Sequence, residues 1–342
     1  MFVHVIPAQH MANPHYGTYK DVVTRVDWLK ARFRHYEQVL IERDDPHLLA
    51  PLLDAARPLE GALIEYSYQP RIVKALKTRY PAAIVAVRAI NVEPWQHLDN
   101  YGWWPARGPI WMLYGMFRLT ALDIQSKRYA DHLCCINDWE LRRYWKWLPG
   151  RAKLHWLPYR CPDHMLPRHS IPYRDRNVIA CVPTSQKNRK SWDLVTRFHA
   201  FASDMRRQGS NDQFVVTGNL ADWELPPCDA VTYTGFVEDL ASFLGACKAV
   251  ALLSPLGYGF KTTMGDALAA GAHVITHADL IRKSPATISS YAIPFKPGPH
   301  ESVTSVMQQL EQPPAGVKYQ EECTRRIETE MREMFGDLKE VG

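Results

Sequence analysis

The sequence lacks the short motifs that identify metal-binding and disulfide-rich proteins. It has 7 cysteines, an odd number, and none of them forms a C-x-x-C pair. Its 14 histidines include no H-E-x-x-H motif, the spacing with which a helix holds zinc. These absences favour free thiols in a reducing compartment, and they predict neither a structural disulfide nor a protein metal site.

The chain also lacks a long apolar segment. No run of 18 apolar residues occurs, although 46% of the residues are hydrophobic, so no transmembrane helix is predicted. Met1–Ile6 has neither the basic region nor the small-residue cleavage site of a signal peptide, and it is typical of a first strand. We therefore expect a cytoplasmic protein and leave open peripheral binding to the inner face of a membrane.

The chain is long enough for two domains. Its 342 residues, 23% of them charged, are typical of a soluble globular protein. Strand and helix patterns alternate through residues 1–158 and again through 177–316, while the proline-rich residues 159–176 predict a linker and 317–342 a charged helix. The pattern predicts an α/β fold in which two Rossmann-like domains, each with an open and mostly parallel sheet, face each other across a cleft.

The most informative stretch is Thr234–Thr276. It predicts a short helix at Val237–Cys247, a buried strand at Ala249–Leu253, a glycine-rich turn that ends at Lys261, and a helix at Thr262–Ala270. The N–H groups of such a turn, the following helix N-terminus and the lysine together form an anion site that suits the phosphates of a nucleotide. An ordinary turn with a solvated lysine is the alternative.

Several segments of this stretch resemble a known family. They are Gly235-Phe236-Val237, Leu253-Ser254-Pro255, Gly259-Phe260-Lys261 and Asp266-Ala267-Leu268-Ala269-Ala270-Gly271. In this order and spacing they resemble the donor-binding half of the retaining glycosyltransferases with the glycosyltransferase-B (GT-B) fold, family-four-like enzymes also called glycosyl transferases group 1. The resemblance implies a nucleotide-sugar donor on the second domain, an acceptor on the first, and hexosyl or pentosyl transfer with retention of configuration. It implies no further cofactor, and a final helix that packs back on the first domain.

The resemblance also implies the residues of the donor site. Lys190 and Lys261 match lysines that hold the donor diphosphate, and Asp266 matches an acid that binds a ribose hydroxyl, although it is one methylene shorter than the usual glutamate. The other donor-side candidates are Lys187, Arg189, Gly218, Gly257, Tyr258, Gly259, Phe260 and Thr262.

Candidates on the first domain follow its predicted strands. The run from Arg88 to Glu93 resembles the family's R-x-H-N-x-E segment, which makes Asn91 and Glu93 candidate catalytic groups. Gly17, in the loop after the first strand, and Trp95 are expected on the acceptor side.

Three polar positions of the family are altered. Ile90 replaces a histidine that approaches the donor sugar, Thr184 replaces a diphosphate-binding arginine, and Tyr258 replaces the first of two acids. Lys187 or Arg189 is a candidate for the missing positive charge. These changes keep a non-catalytic nucleotide-sugar-binding protein as an alternative to an active enzyme.

A basic, aromatic segment lies at residues 138–176. It carries nine lysines and arginines against four acids, interleaved with tryptophan and tyrosine. Such a mixture suits an anionic membrane surface or a nucleic acid with stacking bases, and a segment packed between domains is the alternative. The acceptor is therefore expected to be a glycan or a lipid-linked saccharide, with hydroxymethylated bases in DNA as an alternative. A nucleic-acid-binding protein without transfer activity is a third class.

Overall fold

The computed structural model describes residues 1–14, 16–53, 57–99, 108–168, 171–184, 187–258, 260–298 and 300–336. Two separate six-stranded sheets organise this part of the chain, and every strand pairing within them is parallel. We call the two halves the first and second lobes. The α/β fold with two parallel sheets predicted from the alternation of strands and helices is confirmed.

The first sheet has the strand order β2-β1-β3-β4-β5-β6. Its strands are β1 (Phe2–Pro7), β2 (Tyr36–Ile41), β3 (Gly61–Glu65), β4 (Ile84–Ala89), β5 (His132–Cys135) and β6 (Lys153–Trp156). The helices of this lobe are α1 (Ala8–Met11), α2 (Gly17–Arg32), α3 (Ala50–Leu53), α4 (Pro70–Arg79), α5 (Glu93–Asp99), α6 (Pro109–Tyr129) and α7 (Asp138–Arg143).

The second sheet has the order β12-β11-β10-β7-β8-β9. Its strands are β7 (Val178–Cys181), β8 (Gln213–Thr217), β9 (Val231–Gly235), β10 (Cys247–Leu252), β11 (His273–His277) and β12 (Ala292–Phe295). The remaining helices are α8 (Arg189–Arg207), α9 (Leu240–Ala246), α10 (Thr262–Ala269), α11 (Ala278–Lys283), α12 (Ala286–Ser289), α13 (His300–Gln309) and α14 (Gly316–Phe335).

Each sheet is covered on both faces, which explains why its central strands are mostly apolar at consecutive positions, with the buried polar exceptions His4, Glu65 and Arg88. In β1, Val3 and Val5 belong to the cluster on one face, whereas Phe2 belongs to the cluster on the other. Successive side chains of a strand point to opposite faces. A strand buried on both sides therefore needs apolar residues at consecutive positions.

The last helix, α14, contacts both lobes. Near its start, Tyr319 and Cys323 pack in a cluster of the second lobe. Near its end, Met331 and Phe335 pack with Phe2 under the first sheet. The helix therefore ties the two lobes together opposite the cleft that separates their sheets.

The ends of the predicted elements shift by a few residues. The helix predicted at Val237–Cys247 is α9, which begins only at Leu240, because the carboxylate of Asp239 accepts the N–H of Ser242 at 3.0 Å and caps the helix. The following strand begins at Cys247 instead of Ala249. Within the described ranges, no helix has both the length and the apolar character needed to cross a bilayer.

Candidate functional site

A cavity of about 510 Å³ opens between the two sheets. Gly17 and Asn91 line it from the first lobe, and Lys190, Gly218 and Lys261 line it from the second. These residues follow the carboxyl ends of β1, β4, β7, β8 and β10 or begin the helices after them. Open parallel sheets bind ligands at this edge, so the cavity is the candidate site.

Three helices direct their N-termini into the cavity. Gly17 is the first residue of α2, Lys190 and Ser191 lie in the first turn of α8, and Thr262 begins α10. The first N–H groups of a helix have no partner within the helix, and the helix dipole makes this end positive. The cavity therefore favours an anion before any charged side chain is considered.

The side chains of Lys190 and Lys261 converge on Gly257. A Cβ atom placed on this glycine would lie 2.6 Å from Nζ of Lys261 and 2.8 Å from Cδ of Lys190. Gly257 also has a φ of +95°, a conformation that glycine adopts without strain. Glycine at this position allows the two lysines to approach the turn.

Burial disfavours the charged form of both lysines. Burial lowers the pKa of Lys190, although a hydrogen bond to Lys261 and the charge of Asp99 oppose the change. Burial, followed by the charge of Lys190, lowers the pKa of Lys261 well below its ordinary value. A bound anion would compensate the positive charge of Lys190 and Lys261 and so favour their ammonium forms.

A carboxylate from the first lobe reaches the same turn. Oδ2 of Asp99, at the end of α5, accepts the N–H of Gly257 at 2.5 Å. The sequence analysis assigned this turn to the donor phosphate and sugar. In the structure, the Gly257 N–H already donates a hydrogen bond to the carboxylate of Asp99. It can donate to a phosphate only if Asp99 moves away.

Asp266 has partners that differ from the expected ribose hydroxyl. One carboxylate oxygen accepts from Nζ of Lys20 and the other from the hydroxyl of Tyr159, both at 2.5 Å. Asp266 is buried and is not among the residues that line the cavity. This arrangement argues against the predicted ribose contact and makes the carboxylate a tie between the second lobe and α2 of the first.

Lys187 and Arg189 lie outside the cavity lining. Lys187 donates to the carbonyl of Asp222 at 3.1 Å, and Arg189 donates to the carbonyl of Asp99 at 3.2 Å. Thr184, in the slot of the family's arginine, does line the cavity and hydrogen-bonds to Ser191 at 2.6 Å. The structure therefore places neither basic side chain where it would replace the missing arginine.

Glu93 lies behind Asn91 as seen from the cavity. Asn91 lines the cavity and donates to Oε1 of Glu93 at 3.0 Å. The same oxygen accepts the hydroxyl of Tyr66, and burial raises the pKa of Glu93. Tyr66 has a φ of +90°, a strained value for a residue with a Cβ. Glu93 is thus placed to orient Asn91, whose amide faces the cavity.

Aromatic side chains join the lobes at one end of the cavity. The ring of Tyr258 lies 5.2 Å from that of Trp95 and 6.3 Å from that of Trp139, measured between centroids. The ammonium of Lys283 lies 4.5 Å from the centre of the Tyr258 ring. Tyr258 lines the cavity, whereas Trp95 does not. Trp95 therefore supports the turn across the cleft instead of facing an acceptor.

Most of the other residues singled out from the sequence line the cavity, and one lies outside the described residues. Ile90, Phe260 and Thr262 line the cavity. Gly218 does so with a φ of +97°. Gly259 lies outside the described residues.

Several residues that line the cavity were not identified from the sequence. They are Asn13, Tyr16, Thr18, Gln96, Asn188, Ser191, Phe236, Leu240 and Thr263. Ser191 and Thr263 lie in the first turns of α8 and α10, so the rule that anions bind at helix N-termini would have found them. Asn13 and Gln96 are brought in by the packing of α1 and α5, and no local motif signals them.

The segment 138–176 is not a single exposed surface. Trp145 and Tyr159 are fully buried, and the guanidinium of Arg176 donates to the carbonyls of Ile171, Cys247 and Gly271. Trp147, by contrast, is exposed. The alternative of packing between elements therefore holds for much of the segment, and only its first third presents basic side chains beside an exposed aromatic ring.

One group of side chains in the described ranges has a metal-binding geometry, and it lies away from the cavity. His155, Glu330 and Glu333 place one potential ligand atom each within 4.8 Å of one another, where β6 meets α14. Within this group, Nδ1 of His155 already pairs with Glu330 at 2.8 Å. Arg326 also pairs with Glu330. We interpret the cluster as a polar contact that holds α14 on the first lobe.

Comparison with known proteins gives structural neighbours only. No family model matches the sequence, and no curated protein matches it. A sucrose-phosphate synthase from Thermosynechococcus elongatus is similar with a TM-score of 0.61 and 12% identity, over 98% of both chains. HepE of Anabaena, in complex with UDP, is similar with a TM-score of 0.62 and 10% identity, over 98% of this chain and 100% of the other.

A third neighbour is WaaG, a glycosyltransferase involved in lipopolysaccharide biosynthesis. It has a TM-score of 0.59 and 13% identity, over 99% of this chain and 96% of its own. These likenesses extend over both lobes. They show that the chain has the two-lobed GT-B fold.

Proposed function

We propose that the protein is a glycosyltransferase that moves a sugar from a nucleotide-sugar to an acceptor hydroxyl, with retention of configuration at the sugar. The observation that carries the proposal is the pairing of Lys190 and Lys261 beside Gly257 in the interlobe cavity. Burial lowers the pKa of both lysines, and the charge of Lys190 lowers that of Lys261 further, so their charged forms need a nearby negative charge. The diphosphate of a nucleotide-sugar would supply that charge.

The chemistry requires stabilisation of a leaving group. The bond between the sugar's anomeric carbon and the donor's phosphate oxygen breaks, and a bond from the acceptor oxygen to that carbon forms. The acceptor's proton passes to the departing diphosphate on the same face of the sugar. Lys190, Lys261 and the N-termini of α8 and α10 stabilise the developing phosphate charge, and the amide of Asn91 is placed to orient a sugar hydroxyl.

A uridine nucleotide is the first donor to test. The Anabaena HepE structures, which share the fold of this chain, contain UDP in one case and UDP-glucose in another. The cavity volume of about 510 Å³ is within the usual range of small-molecule sites. For the acceptor we propose a glycan or a lipid-linked saccharide.

The test is a thermal-shift screen of the full chain against UDP, GDP, ADP and their common sugar conjugates. A ligand that binds the folded state raises the melting temperature by mass action. We expect at least one nucleoside diphosphate to do so, and its sugar conjugate to release free diphosphate slowly in the presence of the protein. If no member of the panel shifts the melting temperature, the proposed donor site is wrong.

Diphosphate binding is expected to take up protons and to weaken as pH rises. In the free protein the pKa values of Lys190 and Lys261 are lowered. A bound anion favours both charged forms and raises these pKa values, so the complex holds more protons than the free protein. Titration calorimetry in buffers of different ionisation enthalpy measures this uptake. Proton release on binding, or affinity that rises with pH across the alkaline range, would contradict the assignment.

A nucleotide-sugar-binding protein without transfer activity is a second candidate. Two observations favour it: Tyr258 occupies the slot of one family acid, and Asp266, in the slot of the other, pairs with Lys20 and Tyr159. The two candidates differ in turnover. Binding of a nucleotide-sugar with no release of diphosphate over hours, with acceptor glycans present, would support the second.

A further inference from the structure

The first half of α6 presents an apolar face to solvent. Ile110 is 80% exposed, Trp111 62% and Phe117 73%, and Leu113 and Tyr114 between them are also exposed. Ile110, Tyr114 and Phe117 recur at helical spacing, so they share one side of α6. In a helix surrounded only by water this side would carry polar residues. The exposed apolar side is therefore a contact surface.

The second half of the same helix is packed in the usual way. Asp123 accepts hydrogen bonds from Ser67 and Tyr144, and the ammonium of Lys127 donates to the carbonyls of Trp145 and Leu148. These contacts hold α7 and the short 3₁₀ helix Trp145–Trp147 against α6. They place the exposed ring of Trp147 and its basic neighbours beside the same helix.

The charges around this face have one sign. In residues 108–153, every fully exposed charged side chain is basic. They are Arg118, Arg128, Arg142, Arg143, Lys146, Arg151 and Lys153. The acids of this range are less accessible: Asp123, Asp138 and Glu140 are buried, and Asp131 pairs with Lys77 at 2.8 Å. Asp138 pairs with Arg142 at 2.8 Å and Asp131 lies 3.8 Å from Arg151, so the unbalanced charge is carried by Arg118, Arg128, Arg143, Lys146 and Lys153. By helical period, Arg128 lies on the same side of α6 as Phe117, and Arg118 lies one turn from Tyr114 at the edge of the apolar side.

We propose that this face, formed by the first half of α6 and the basic residues Arg118, Arg142, Arg143 and Lys146, binds the surface of an anionic lipid bilayer. Tryptophan and other large apolar side chains enter the interfacial region, while arginine and lysine contact the lipid phosphates. The charge of the face selects a negatively charged partner, and its exposed aromatic rings suit a lipid interface. The inference does not depend on transfer activity.

The apolar, basic face lies near the cavity, and this position bears on the proposed function. Helix α5 ends at Asp99, whose carboxylate contacts Gly257 at the cavity, and α6 packs against α5, where a Cβ on Gly115 would lie 2.6 Å from Nε2 of His97. A bilayer bound at α6 would therefore lie on the acceptor side of the cleft. Within the proposed function, this favours an acceptor carried by a lipid.

The experiment is vesicle co-sedimentation of the full chain without nucleotide. We expect binding to phosphatidylcholine vesicles that contain about 30% phosphatidylglycerol, weak binding to phosphatidylcholine alone, and loss of binding at high salt. Trp111→Ser with Phe117→Ser should lower the partition coefficient about tenfold. Arg143→Glu with Lys146→Glu should do the same without altering the apolar side.

A control pair removes exposed leucines from elsewhere on the first lobe. Leu40→Ser with Leu48→Ser should leave vesicle binding unchanged, since both residues are exposed and lie outside α6. Melting temperatures confirm that each variant folds. The proposal is overturned if the protein binds neither vesicle type, or if the leucine control loses as much binding as the Trp111→Ser, Phe117→Ser variant. It is also overturned if the parent protein forms a concentration-dependent dimer and the Trp111→Ser, Phe117→Ser variant loses that dimer instead of vesicle binding. The thermal shift with UDP is measured separately. It tests the proposed donor site alone, so an error in the membrane-binding proposal can be told apart from an error in the proposed function.

Discussion

Lys261→Met is expected to weaken binding of a nucleoside diphosphate about 100-fold, because charge-assisted hydrogen bonds contribute about 1.5–3 kcal/mol each. The same substitution is expected to stabilise the free protein near neutral pH. The lowered pKa of Lys261 means that the folded state disfavours its charge, and methionine removes that charge with little change in volume. Calorimetry measures the first effect and thermal unfolding without ligand the second.

The two opposite effects separate a ligand-binding lysine from a structural one. Lys187→Met is the matched control, because Lys187 lies just before Lys190 at the start of α8 but donates to the carbonyl of Asp222 and does not line the cavity. It should change neither quantity appreciably. A Lys261→Met protein that binds diphosphate like the parent would remove the basis of the donor site. A destabilised free variant would show that Lys261 serves the fold.

Arg88→Met is expected to lower the free energy of unfolding by about 3–5 kcal/mol, the usual cost of removing one partner of a buried ion pair. Arg88 is fully buried, and its guanidinium donates to Asp21 at 2.9 and 3.2 Å and to the carbonyl of Leu157. Burial alone would raise the pKa of Asp21, but the charges of Arg25 and Arg88 outweigh burial and lower it. Without Arg88, Asp21 keeps its charge with one partner fewer.

The stability loss of Arg88→Met is expected to depend on pH. A carboxylate with a lowered pKa contributes stability at neutral pH that is lost as pH falls through its folded-state pKa. The deficit of the variant should therefore be largest at neutral pH and shrink in acid. Arg142→Met is the control: its partner Asp138 is buried, but the arginine itself is 64% exposed and solvated, so the substitution should change stability by less than about 1 kcal/mol. Chemical denaturation at several pH values measures both variants, and an equal loss in the two would refute the buried-pair explanation.

The sequence by itself determined the α/β fold class. The alternation of strand and helix patterns predicted two domains with parallel sheets, and continuous apolar runs marked strands that are buried on both faces. The glycine turn and the helix after it marked Lys261, because the chemistry of an anion site is local: it needs a turn, a helix N-terminus and a cation close together in the chain. Lys190 was marked by its match to a diphosphate-binding lysine of the family that the sequence resembles. The approach of these two lysines beside Gly257 is the arrangement on which the proposed donor site depends.

Tertiary structure alone decided which polar groups remain available to a ligand. Asp266 pairs with Lys20, 246 residues away in the sequence, and Arg88 pairs with Asp21, 67 residues away. It likewise decided that α6 exposes its apolar side, because the contacts that cover a helix come from distant segments. A motif shows which side chain occupies a position, but the partner of a buried charge is set by chain packing, since an unpaired buried charge costs too much free energy to persist.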